Sequence, residues 1–133
     1  MKQLEDEIIY YLEQFLTVQY GENYEYSISN YETIEIFAIN KTDTRDRFCM
    51  IRIGISKENQ QIYIPNVFIP TDLKYSGIGK KLIFIVYNVG KKNNYDLFVV
   101  HLTDSFREKL LKRGAVTTDV FDTLYIDENT KLL

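Results

Sequence analysis

Apolar residues Leu4, Ile8, Tyr11, Leu12 and Phe15 recur at helical spacing, and Gly21 closes the run. The spacing predicts an amphipathic helix packed along that stripe, with Glu5, Asp6 and Glu13 on a solvated face. The period then drops to two. Tyr24–Ile28 and Thr33–Ile39 alternate apolar with polar residues around a turn at Ser29-Asn30-Tyr31. A polar loop, Asn40 to Asp46, leads to a third strand at Phe48–Ile55. A fourth follows at Gln61–Ile69, reached through Ser56-Lys57-Glu58-Asn59. Four strands with short polar connections predict an antiparallel meander.

Beyond Pro70 the pattern shifts again. Leu82-Ile83-Phe84-Ile85-Val86-Tyr87 is apolar on every side and rich in β-branched residues, which a buried strand would accept. The flanks, Gly77-Ile78-Gly79 before and Gly90-Lys91-Lys92-Asn93-Asn94 after, leave room for a helix of about three turns, and a helix is expected. Tyr95–Leu102 reads as a fifth strand. Ser105-Phe106-Arg107-Glu108 has the form of a capping box opening a helix that ends at Gly114, and Val120–Ile126 reads as the last strand. The order α-β-β-β-β-α-β-α-β is an α+β fold, a mixed but mainly antiparallel sheet with helices on both faces.

Composition narrows this picture without redirecting it. With 133 residues, 45% hydrophobic and 26% charged, the chain suits a single domain over residues 1–133. A net charge of −3 argues against a nucleic-acid partner. One cysteine, Cys49, excludes an internal disulfide and a cysteine-based metal cluster, and no metal is expected. Cys49 itself, between Phe48 and Met50, reads as a small core residue. The start is acidic, and no apolar run approaches the length of a membrane span. A cytoplasmic protein without membrane contact is the expectation.

Charge is unevenly spread, and this does change the picture. Between Leu73 and Tyr95 lie five lysines, Lys74, Lys80, Lys81, Lys91 and Lys92, and no acid. They flank the turn Lys74-Tyr75-Ser76-Gly77-Ile78-Gly79-Lys80, where a strand gives way to a helix. Glycines admit close backbone approach, and a helix start offers unpaired amides with partial positive charge, so the turn suits an anion. A Walker loop does not fit, because Lys74 stands where its first Gly belongs and Lys81 where its Ser or Thr belongs. The dinucleotide fingerprint fails at Leu82, in place of its third Gly.

The segment resembles the GNAT superfamily of N-acetyltransferases, whose signature is Gln or Arg, two residues, Gly, one residue, then Gly or Ala. Val67-Phe68-Ile69-Pro70 looks like the family's fourth strand and the proline after it. Phe106–Gly114 looks like the helix closing its acyl-CoA cleft, and the likeness covers about residues 47–126. Three positions depart from the family. Lys74 replaces Arg or Gln, the spacing from Pro70 to Gly77 is one residue longer, and Leu110 stands where a Tyr is common.

The resemblance implies acetyl-CoA as cosubstrate and an amine, small or on a protein, as acceptor. Its pyrophosphate would sit at Lys74–Lys80, and its pantetheine along Val67, Phe68 and Ile69, in a gap facing Phe98–His101. A backbone N–H of the fourth strand would stabilise the oxyanion. A base would take the amine's proton, and the candidates are His101 and Asp104. Imidazole exchanges protons near neutrality, and His101 is the only histidine. Against this stand plainer readings: His101 as a loop residue, and Asp104 as the residue opening a helix beside Ser105. Leu97, Val99 and His101 are expected on one face of their strand. Tyr24, Tyr26 and Tyr31 fit an acceptor site or the sheet surface equally. A non-catalytic acyl-CoA-binding or protein-interaction module, and a nucleotide-binding regulator, are the alternative functions.

Overall fold

The computed structural model describes residues 2–20, 24–28, 33–39, 47–67 and 78–132. The elements run α1 (Lys2–Tyr20), β1 (Tyr24–Ile28), β2 (Thr33–Ile39), β3 (Arg47–Ser56), β4 (Gln61–Val67), α2 (Ile78–Lys92), β5 (Asp96–Val99), α3 (Asp104–Lys112), β6 (Val116–Thr117) and β7 (Leu124–Ile126). One sheet in the order β1-β2-β3-β4-β5-β7-β6 takes in all seven strands. Its junctions are antiparallel except β4–β5, so the fold is α+β with a mixed, mainly antiparallel sheet, as expected. The turn at 29–32, the loop at 40–46 and Gly21 lie outside the described residues. So do the side chains of Tyr24, Tyr26 and Cys49.

The core forms where one face of the sheet meets α1 and α2. Ile34, Ile36, Ile51, Ile53, Ile62 and Ile64 are fully buried, joined by Leu97, Val99, Leu124 and Ile126 at the same parity on their strands. Isoleucine suits this layer, since its branched carbon is already stiff in a strand and loses little freedom on packing. Opposite-parity residues give the other face a row of rings, with Tyr63 stacked on Phe98 at 5.8 Å and Phe98 tilted against Tyr125 at 5.3 Å.

The α1 stripe is rotated from the expected one. Ile9 and Leu16 join Leu4, Ile8 and Leu12 inside, while Tyr11 is 42% exposed. A strict i, i+4 ladder from Leu4 to Leu16 accounts for this, with Phe15 at its margin. Nor is Glu5 solvated. It is buried, and its carboxylate meets the Lys57 ammonium of the β3–β4 turn at 3.2 Å. The nearby ammonium offsets part of the cost of taking this carboxylate out of water.

The apolar run from Leu82 does form a helix. Its period places Leu82, Ile83, Val86, Val89 and Gly90 inward, with Phe84, Ile85 and Tyr87 half-buried. Gly90 lets α2 touch the sheet, because a Cβ there would stand 2.9 Å from Ile62 Cδ1.

The C-terminal part differs in two places from expectation. The cap of α3 is Thr103 rather than Ser105. Thr103 is extended (φ −68°, ψ 156°), and its hydroxyl accepts from the Phe106 N–H. Ser105 is already inside the helix, so the Ser105–Glu108 capping box does not form. The predicted strand Val120–Ile126 is also shorter: residues 118–123 make a tight turn, and β6 and β7 pair across it. Thr118 Oγ1 holds the turn, donating to the carbonyls of Val120 and Thr123 and accepting from the Val120 N–H.

Candidate functional site: the opening between β4 and β5

β4 and β5 run parallel and pair over four positions, from Gln61 opposite Asp96 to Ile64 opposite Val99. One more bond follows, from the Val100 N–H to the Ile64 carbonyl at 2.9 Å, and the two strands then part. β4 continues through Pro65, Asn66 and Val67 along β3, with Val67 opposite Ile51. No described strand pairs with the β5 side of those three residues. One cause is visible. The β3–β4 register slips between Arg52 and Gly54, a bulge that bends β4 where the strands separate, and Pro65, whose parity faces β3, offers no N–H to that ladder.

β5 ends for its own reason. His101 adopts φ 55°, a left-handed conformation that breaks strand alternation. It therefore does not continue the buried face of Leu97 and Val99, contrary to the pattern of the sequence. Its side chain is 74% exposed, with Nδ1 3.7 Å from Asp122 Oδ2. Asp122 belongs to the turn before β7, and the Leu102 N–H donates to its carbonyl. The imidazole thus lies on the β7 side of β5, one strand away from the β4 opening. Asp104 is the exposed first residue of α3, where a carboxylate favours the helix start. The structure places both residues at this end of the sheet but does not bring them together as a pair.

α2 lies between β4 and β5 in sequence. Its last turn is fixed at the beginning of these strands: the Tyr95 N–H donates to Gly90 O at 2.8 Å, and the Asp96 N–H to Gln60 O at 3.0 Å. The helix runs back from there, so Ile78, Gly79 and Lys80 in its first turn lie toward the ends where β4 and β5 diverge. Ligands of parallel α/β units collect outside these carboxyl ends, near helix N-termini. No acid stands in the first turn of α2, and among the described residues Lys80 and Lys81 have no carboxylate partner. Val67 closes β4. Phe68, Ile69, Lys74, Tyr75, Ser76 and Gly77 lie outside the described residues.

The five lysines do not form one patch. Lys91 and Lys92 end α2, about 20 Å from its start at the usual helical rise. Lys91 reaches Glu128 at 3.9 Å and Lys92 reaches Glu7 at 3.4 Å. Only Lys80 and Lys81, of the described lysines, are placed to meet an anion at the opening. Leu110, where the resemblance led one to look for a tyrosine, is fully buried in the core.

Sequence reasoning missed the turn at 118–123, which holds an exposed Phe121 against Arg107 of α3. The signal for it was present in Thr118-Asp119, a pair that favours a turn over a strand. Among the described residues no group of three or more His, Cys, Asp or Glu is placed to hold a metal, and no helix is long and apolar enough to cross a membrane.

No protein-family model matches the chain, and no curated protein sequence matches it. Among solved structures, it is similar to a protein from Agrobacterium tumefaciens assigned provisionally as an acetyltransferase. That likeness has 12% identity and a TM-score of 0.46, and it covers 92% of this chain and 88% of the other. It is also similar to an acetyltransferase of the GNAT family from Staphylococcus aureus Mu50, with 16% identity and a TM-score of 0.48, covering 93% and 89%.

Proposed function

We propose that the chain is an acyltransferase that moves an acetyl group from acetyl-CoA to an amine. The observation that carries this reading is the parting of β4 and β5 with the α2 N-terminus at the same end. An extended, amide-bearing chain such as pantetheine can add to a strand edge left unpaired, as a peptide does. Its pyrophosphate would then reach the amides of Ile78, Gly79 and Lys80 and the ammonium groups of Lys80 and Lys81. The segment Lys74-Tyr75-Ser76-Gly77-Ile78-Gly79 resembles the family's signature apart from Lys74 and supports the same placement.

The chemistry asks little of the protein beyond position. The amine nitrogen, as the neutral base, attacks the thioester carbonyl, so a C–N bond forms as the C–S bond breaks. CoA leaves as a thiolate, whose pKa near that of a free thiol, about 8.5, makes an acid partner dispensable. The proton lost by the amine goes to a base or to water, and His101 or Asp104 is proposed for that role.

A second reading, a module that binds acyl-CoA without transferring it, has one observation in its favour. Leu110 is an apolar core residue, so that position supplies no proton donor. Acetyl-CoA binding by calorimetry, followed by thiol release with a panel of amines, tests both. Binding with turnover supports transfer, and binding with no turnover supports the module. Absence of binding at millimolar acetyl-CoA sinks both.

A further inference from the structure

The ladder that buries Leu4, Ile8, Leu12 and Leu16 turns the opposite side of α1 to water. A surface helix ordinarily keeps charged and polar residues there. Here Tyr10 is 56% exposed, Tyr11 42% and Val18 81%. The two rings meet edge to face, 5.2 Å apart at 81°, so each restricts the other. With Gln3, Asp6, Glu7 and Lys92 they line an open hollow where α1 passes the end of α2.

This hollow stands away from the β4–β5 opening. Lys92 ends α2 beside the beginning of β5, and Glu5, next to Asp6, pairs with Lys57 of the β3–β4 turn. The strands part at their other ends, so an occupant of the hollow is neither the acyl donor nor the acceptor.

Its charges suit a cation. The Lys92 ammonium is committed to Glu7 at 3.4 Å, and that pair offsets itself. Asp6 is exposed and has no partner among the described residues. The last carbonyls of α2 add partial negative charge, and no basic residue stands in the last turn of α1. A free carboxylate beside two ring faces favours a cation that can stack as well as pair. Guanidinium does both, being planar and forked, whereas ammonium is a more strongly hydrated point charge. The exposed face then continues past the rings. Tyr11 and Val18 lie two helical turns apart, about 10 Å along α1, which an extended chain covers in about three residues.

We infer that the outer face of α1 docks an extended segment of a partner protein, with an arginine held between Asp6 and the Tyr10–Tyr11 rings. An apolar residue about three positions from that arginine covers Val18. The carboxylate and rings select the guanidinium, and burial of Tyr11 and Val18 adds affinity. The inference stands independently of the acyltransferase reading.

The probe is the peptide acetyl-Gly-Arg-Ser-Gly-Leu-Gly-amide, titrated into the isotope-labelled whole chain and followed by NMR. Its blocked terminus and lack of lysine leave it no acceptor amine. Shifts are expected at Asp6, Tyr10, Tyr11, Val18 and Lys92, with binding that weakens as salt is raised. The same peptide with citrulline for arginine, neutral and of similar shape, is expected to bind about tenfold more weakly. Asp6→Asn and Tyr11→Ser, both at exposed positions, are each expected to cost about fivefold, with melting temperature little changed and acetyl-CoA affinity unchanged. Lys92→Gln frees Glu7 and is expected to tighten the arginine peptide, a gain that a merely structural ion pair would not give. Equal affinity for the two peptides, shifts confined elsewhere, no binding at millimolar peptide, or no loss in either variant would overturn the proposal. So would a concentration-dependent dimer that Tyr11→Ser dissolves, because a second copy would then occupy this face. None of these outcomes bears on acyl-CoA binding.

Discussion

Lys80 and Lys81 stand in the first turn of α2, and Lys91 and Lys92 end it. The letters are the same and the surroundings are opposite. At the first pair the helix presents free amides and a partial positive charge, with no acid in the turn. At the second the helix carbonyls are partially negative, and Glu7, Asp127 and Glu128 gather nearby. Lysines at the end of a helix stabilise it. Lysines at its start oppose its dipole, so their presence there favours a role in holding an anion. A count of charges along the chain merges the two pairs, and the helix between them separates their meanings.

The sharpest way to break this comparison is to loosen the helix that holds the two ends apart. Ile83→Ala removes a fully buried side chain in mid-helix and is expected to cost about 2–5 kcal/mol by denaturant titration. A loss well below 1 kcal/mol would mean that α2 is not anchored as described. Next comes the charge at the first end. Lys80→Glu with Lys81→Glu is expected to weaken acetyl-CoA binding tenfold or more, about 1.4 kcal/mol, while the melting temperature holds or rises slightly. Reduced stability with unchanged binding would reverse the assignment.

Lys92→Glu should do the opposite at the far end. It replaces an attraction to Glu7 by repulsion and turns a favourable dipole contact unfavourable, for a loss of about 0.5–1 kcal/mol that shrinks in salt. Acetyl-CoA affinity should not move. The smallest effect concerns the acids of that end. Burial, then Glu128 and Asp127, hold the Tyr87 hydroxyl above its ordinary value. The folded state thus keeps this proton more tightly than the unfolded chain. The associated stability is complete below the ordinary phenol pKa of about 10 and is lost as pH rises through the folded value. Tyr87→Phe is expected to flatten the alkaline decline by less than about 0.5 kcal/mol, read from melting curves above pH 9.

The parts of the fold set by local pattern were legible in the sequence. The spans Tyr24–Ile28 and Thr33–Ile39 are those expected, because alternation and turn residues agree there. The run from Leu82 became a helix although its residues favour strands, since a crossover between parallel neighbours needs one. What escaped depended on contacts from elsewhere. Glu5 is buried, and its partner Lys57 comes to it from a distant turn. His101 leaves its strand because the chain turns toward α3 and Asp122 stands opposite, and no neighbouring letter shows this. The resemblance implied a gap between Val67–Ile69 and Phe98–His101, and among the described residues β4 and β5 stop pairing after Ile64 and Val100. The cause of that parting, the bulge against Arg52 and Gly54 beside Pro65, is a matter of register that composition does not record. The turn at 118–123 was hidden by Val120 and Phe121, which look like strand residues and are exposed instead.

The β4–β5 junction has a further consequence, in the order of assembly. β1 to β4 join through neighbours in sequence, and such hairpins close quickly. The parallel junction cannot form until all of α2 has been threaded between Val67 and Asp96, so its loop-closure entropy is met before its few bonds repay it. The β4–β5 junction is therefore expected to close after the β1–β4 meander. Acquisition of acyl-CoA binding during refolding is expected to follow, rather than accompany, the collapse of the meander.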